Sequence, residues 1–118
     1  MFETLGLPKP SPVPLMPIPF QIAQKLHGAT GPGSRRAHDL VDLQLILARG
    51  EPDWKRTREI CVRLFAYRKQ QTWPPTIAVG PDWESLYAAQ SANVPVLPPV
   101  EEAIAWTQRL VERIDAAR

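Results

Sequence analysis

Leu40-Val41-Asp42-Leu43-Gln44-Leu45-Ile46-Leu47-Ala48 is the stretch that decides the fold, because only Asp42 and Gln44 in it are polar. A run this apolar, free of proline and glycine, fits a helix covered by neighbours on nearly every side. The flanking sequence supplies those neighbours. Ile22, Leu26 and Ala29 fall on one face of a helix that starts at Pro19 or Phe20 and ends near Ala29, since proline is tolerated at the first helical position. Thr30-Gly31-Pro32-Gly33-Ser34 is a tight connection, with Ser34 placed to cap the central helix and Gly50 to supply its left-handed stop near Arg49. Asp53 is placed to cap a third helix that reaches about Lys69 with Trp54, Ile60, Cys61 and Leu64 inward. Residues 82–91 fit a fourth helix with Trp83, Leu86 and Tyr87 inward. Residues 100–116 fit a fifth, in which Ala103, Ile104, Thr107, Leu110, Val111 and Ile114 recur at helical spacing.

The expected fold is therefore mainly α, with about five helices. An N-terminal proline-rich extended arm or edge strand occupies residues 1–19, ahead of a helical domain over residues 20–118, and residues 76–79 leave room for one short strand. Six of the fourteen prolines stand at positions 8, 10, 12, 14, 17 and 19, which removes backbone donors and fixes an extended path there. With 118 residues, 44% hydrophobic and 22% charged, the chain is long enough for one core and too short for two ordinary domains.

No apolar run is long enough to cross a bilayer, and the N-terminus lacks the basic start and apolar stretch of a signal peptide, so the expected localisation is cytoplasmic with no membrane partner. Cys61 is the single cysteine, and its place on the apolar side of the third helix favours packing over reactivity. With only His27 and His38 as histidines, no protein-only metal site is expected. The net charge of +2 divides unevenly. Residues 1–69 carry eleven Lys and Arg against six Asp and Glu, and residues 70–118 carry three against six. A basic front half can face the phosphates of a nucleotide or RNA, or simply be solvated.

The charged residues of the central helix share one side. At about 100° per residue, Arg35, His38, Asp39, Asp42 and Arg49 fall within one arc roughly 100° wide. Arg35 lies four residues before Asp39, and His38 four before Asp42, so each acid has a local partner. On one reading the arc is a solvated stripe of ion pairs. On the other it lines a cleft, where Lys25 reaches Asp39 and Asp42 across the Gly-Pro-Gly turn and the three side chains handle a polyphosphate. The turn offers a second candidate, an anion site built from the helix amides, Ser34, Arg35 and Arg36, although the spacing is not that of a P-loop. For His27 the expected role is packing. The cations of the third helix spread around it as a solvated face, with RNA contact as the alternative.

Gln21-Ile22-Ala23-Gln24-Lys25-Leu26-His27-Gly28-Ala29, followed by His38-Asp39-Leu40-Val41-Asp42-Leu43, resembles the AbiEii/AbiGii toxin family of nucleotidyltransferases, whose A-x-K-L-x-A motif precedes an [RK]-D-L-x-D-L motif. A weaker pattern continues through Phe65-Ala66-Tyr67-Arg68, Trp73-Pro74-Pro75 and Pro81-Asp82-Trp83, so the likeness covers nearly the whole chain and corresponds to the C-terminal helical half of such proteins. Gln24 and His38 stand where the family more often has a glutamate and a basic residue. The resemblance implies a toxin of a toxin–antitoxin or phage-defence system that moves a nucleotide from an NTP to an RNA or protein target. It assigns Lys25 to the NTP phosphates and makes Asp39, with Asp42, the catalytic aspartate motif.

The family's strand-rich front subdomain, with its Gly-Gly or Gly-Ser motif and paired-Asp motif, has no counterpart here: there is no Asp-x-Asp, and the single Gly-Ser is Gly33-Ser34. The chain then reads as a truncated frame, one product of a split gene or a standalone domain, inactive alone. It needs no cofactor by itself, and Mg²⁺ and an NTP are expected only once that subdomain is supplied in trans. The other expected partners are an antitoxin, tRNA or other RNA, and a second copy through the apolar residues of the arm. The competing expectation is a non-catalytic helical module that binds an antitoxin, a partner subunit or RNA.

Overall fold

A computed structural model describes residues 16–31, 34–69, 71–77, 80, 82–97 and 99–118. Its helices are α1 (Ile18–Ala29), α2 (His38–Ala48), α3 (Trp54–Arg68), α4 (Trp83–Ser91) and α5 (Val100–Asp115), and there is no strand among the described residues. The mainly α expectation stands. Most of the expected arm lies outside the described residues, and its last two positions, Ile18 and Pro19, belong to α1, where Pro19 fits the opening turn. Residues 78 and 79 of the expected strand also lie outside the described residues. Thr76 and Ile77 are not strand, and the Ile77 amide donates to Gln108 Oε1 at 2.9 Å, a bond that takes the place of a ladder partner.

α2 divides the core in two. Leu43 joins Ile22, Leu26, Ile60, Cys61, Phe65, Leu110, Val111 and Ile114 in a cluster built by α1, α3 and α5. Leu40 and Val41, three and two residues earlier, join Ala29, Ala37, Trp83, Tyr87, Val100 and Ala103 in a second cluster toward α4 and the start of α5. This two-sided burial is why the α2 sequence is so apolar. Leu45, Ile46 and Leu47 are only half-buried, so the cover thins toward the end of the helix. Gln44 is the polar residue that α2 buries for structural reasons: its amide nitrogen donates to the Tyr87 hydroxyl at 2.9 Å, and its carbonyl accepts from the Leu97 amide at 2.8 Å. Both ends of the amide are satisfied, which burial requires.

The helix ends depart from expectation at one informative place. Asp53 caps α3 by accepting from the Arg56 amide at 3.0 Å. Ser34 caps nothing. Its hydroxyl donates to the Gly28 carbonyl at 2.8 Å and accepts from the Arg36 amide at 3.1 Å, so it closes the connection onto α1, and α2 starts at His38 with no side-chain cap. The start of α4 holds the same connection from the other side, with Trp83 Nε1 donating to the Ser34 carbonyl at 2.6 Å and Arg35 pairing with Asp82 at 2.8 Å. After α2, Gly50 adopts a φ of 146°, a positive value though not that of a left-handed helical turn.

No helix among the described residues is long and apolar enough to cross a membrane. Cys61 is fully buried, and burial pushes its thiol pKa up to about 12. Thiolate is the reactive form, so a disulfide reagent at pH 8 should label Cys61 only as fast as the chain opens. Labelling in native buffer should accelerate with denaturant along the unfolding curve; immediate stoichiometric labelling of the folded chain would contradict this packing.

Candidate functional site

Lys25, on the third turn of α1, lies across from the first turn of α2. Its ammonium is 2.8 Å from Asp42 Oδ2 and 3.5 Å from Asp39 Oδ1. The hydrogen bond to Asp42 holds the Lys25 pKa above its ordinary value; burial opposes it, and the charges of Asp42 and then Asp39 add to the rise, so the ammonium stays charged through neutral pH. The two acids are not equivalent. Asp42 is 38% exposed, whereas the Asp39 side chain is completely buried.

A buried carboxylate is costly unless charges and donors surround it. Asp39 is met on several sides: Arg36 Nε donates to Oδ2 at 2.8 Å, Arg36 Nη2 approaches Oδ1 at 3.4 Å, and His38 Nε2 lies 3.4 Å from Oδ1. The bidentate approach of Arg36 is the geometry that suits guanidinium to carboxylate. The expected pairs Arg35–Asp39 and His38–Asp42 are not those formed. Because α2 begins only at His38, Arg35 is off the helix and turns to Asp82, and Arg36 reaches Asp39 instead. His38 leans on its neighbour Asp39, and Asp42 belongs to Lys25.

Gly28 makes this approach of α1 to α2 possible. A Cβ at that position would stand 2.6 Å from Asp39 Oδ2 and 2.8 Å from Arg36 Nε. Sequence reasoning missed it, since a glycine inside a helix reads as a local cost unless the facing residue is known.

Beside the Lys25 cluster, Gln24, Lys25, His27, Gly28, Arg36, Leu64 and Arg68 line a cavity of about 160 Å³. Three of these are cations. His27 is buried, packs edge-on to Phe65 with ring centroids 5.1 Å apart, and is kept below its usual pKa by burial and by the charge of Arg68. The packing expected of His27 is what it does, but its Nε2 has no hydrogen-bond partner among the described residues. Of the six residues expected to form a site, Lys25, Asp39, Asp42 and Arg36 come together. Ser34 and Arg35 are drawn into the connection and toward α4.

A family model described as "Nucleotidyl transferase AbiEii toxin, Type IV TA system" matches residues 1–115. The chain belongs to this AbiEii family. No curated protein matches the chain. The AbiEii motifs seen in the sequence therefore meet in space, the lysine of the first lying against both aspartates of the second.

The metal that the AbiEii family implies can be tested against this arrangement. His38, Asp39 and Asp42 each offer a ligand atom within 4.8 Å of the others. However, the Lys25 ammonium contacts both carboxylates and offsets one of their two charges, and Arg36 takes both oxygens of Asp39 and offsets the other. As built, this donor set fits a lysine and not a resident divalent cation.

Three substitutions test the reading of Asp39 as a buried anion with essential neighbours. Asp39→Asn should cost about 1–3 kcal/mol, less than a wholly interior pair because Arg36 is half exposed, while Asp42→Asn, nearer the surface, should cost below about 1 kcal/mol. Gly28→Ala gains up to about 1 kcal/mol of helix propensity but forces a clash whose typical cost is about 1–3 kcal/mol, for a net loss. Denaturant midpoints at constant slope measure all three; a neutral Asp39→Asn would contradict the burial of its charge.

Proposed function

We propose that this chain supplies the phosphate-binding, helical side of a nucleotidyl-transfer site, in which Lys25 faces the NTP phosphates and Asp39 and Asp42 stand behind it. The observation that carries the reading is the Lys25 ammonium, held by two α2 carboxylates at the edge of a cavity that Arg36 and Arg68 also line. In the reaction, a hydroxyl of an RNA or protein target bonds to the α-phosphorus, the bond from that phosphorus to the bridging oxygen breaks, and pyrophosphate leaves. Lys25 and Arg36 offset the negative charge that gathers on the leaving group, and Asp39 fixes where those cations stand. Asp42 orients Lys25.

The carboxylate pair that binds Mg²⁺ is to come from a strand-rich subdomain outside these residues, because they contain no Asp-x-Asp. Mg²⁺ then enters with that subdomain, which completes the site for turnover, and an antitoxin is the expected regulator of a type IV system. A second reading, a non-catalytic module for an antitoxin, partner subunit, RNA or second copy, is favoured by the exposed apolar residues Met16, Ile18 and Val62.

The test uses labelled NTPs, Mg²⁺ and total tRNA. The chain alone should label no RNA. Addition of a strand-rich subdomain bearing the Gly-Ser and paired-Asp motifs should produce labelling that Lys25→Ala or Asp39→Ala abolishes. Labelling by the chain alone would make it a complete enzyme and overturn the need for a partner, and labelling indifferent to Lys25 would overturn the site. Absence of labelling with the subdomain present would favour the interaction module.

A further inference from the structure

On its α1–α3 side the cavity beside Lys25 adjoins a second depression. Gln24 and Leu64 form a wall common to the cavity and to this larger groove of about 560 Å³, whose other lining residues are Phe20, Ile60, Arg63, Ala66 and Tyr67. That volume lies within the range of small-molecule sites, as does a mainly apolar lining with a few polar groups. Two of its aromatics are conspicuously uncovered: Tyr67 is 83% exposed and Phe20 is 40% exposed. The polar cavity and the apolar groove follow each other along the same pair of helices. Phe20 is four residues before Gln24 on α1, and Leu64 is four before Arg68 on α3, so the centres of the two sites are offset by about one to two helical turns, on the order of 5–10 Å.

We propose that this groove receives the nucleobase of a free nucleoside triphosphate whose phosphates lie at Lys25, Arg36 and Arg68. The inference rests on the phosphate-binding reading above and adds the base subsite. A ligand with an anionic end, a short polar spacer and a flat aromatic end matches the sequence of surfaces met along α1 and α3. The base faces meet Phe20, Leu64 and Tyr67, and its polar edge meets the Gln24 amide and the Arg63 guanidinium, which an alkyl chain would leave unpaired. The buried and unpartnered Nε2 of His27 marks the polar cavity as receptive to one more hydrogen-bonding group. One cationic cavity at one end of the groove suits a mononucleotide better than a strand, which would place further phosphates along the apolar wall.

Calorimetric titration of the full chain with inorganic tripolyphosphate and with each of the four NTPs tests the proposal. At least one NTP should bind about tenfold tighter than tripolyphosphate, the scale of one base stacked on aromatic side chains. Tyr67→Ala, at a site too exposed to threaten folding, should reduce that NTP to the affinity of tripolyphosphate and leave tripolyphosphate itself unchanged. Lys25→Ala should weaken both ligands. Equal affinity of NTPs and tripolyphosphate, or NTP binding indifferent to Tyr67→Ala, would overturn the base subsite while leaving the phosphate reading intact. Tripolyphosphate binding that ignores Lys25→Ala would instead overturn the phosphate reading. A single-stranded RNA whose binding depends on Tyr67 while no NTP's does would also overturn the proposal, and so would the absence of NTP binding at millimolar concentration.

Discussion

Placing the Asp39 carboxylate out of water is the constraint on which the α1–α2 contact depends. The fully buried side chain needs cations within reach, and they come from both directions: Arg36 from the connection before α2, and Lys25 from α1. Lys25 can come close because the next turn of α1 presents Gly28, whose missing side chain leaves room for the carboxylate and the guanidinium. The same demand explains the connection. Ser34 ties it to the Gly28 carbonyl, and Trp83 and Asp82 hold its other side, which keeps Arg36 where Asp39 requires it.

The ion cluster therefore does two jobs. It stabilises the helix pair, and it holds Lys25 and Arg36 beside a small cavity that Arg68 also lines and in which the His27 Nε2 has no hydrogen-bond partner among the described residues. On the proposed reading, this cavity takes the phosphate charge. Two aspartates already offset by a lysine and an arginine are also a reason for the metal to need other ligands.

Much of this was legible in the sequence because period and composition report burial directly. The apolar run of α2, the spacing in α5 and the Asp53 cap led to helices within a few residues of those found. The meeting of Lys25 with Asp39 and Asp42 was legible too, since a short turn forces two helices to run side by side. What failed was the exact start of α2. Ser34 looks like a cap by residue type, but its hydroxyl is held between the Gly28 carbonyl and the Arg36 amide within the connection, and the helix starts only at His38, with Arg36 rather than Arg35 as the partner of Asp39. Gly28 was invisible because its role depends on a residue eleven positions later in the chain. The groove beside Tyr67 was hidden for a similar reason: exposure is a property of neighbours, and Tyr67 sits in a helix whose polar residues gave no sign of a cleft.

The central claim is that Asp39 is a buried anion whose charge, rather than its shape, holds Arg36 in place. A double-mutant cycle of Arg36→Met and Asp39→Asn, read by denaturant unfolding, measures that coupling directly. The account predicts that the two losses fall short of additivity by about 1 kcal/mol or more, since each variant alone removes the same interaction. Additivity within about 0.5 kcal/mol would contradict it and leave the Asp39 cluster as a surface ion pair without structural consequence.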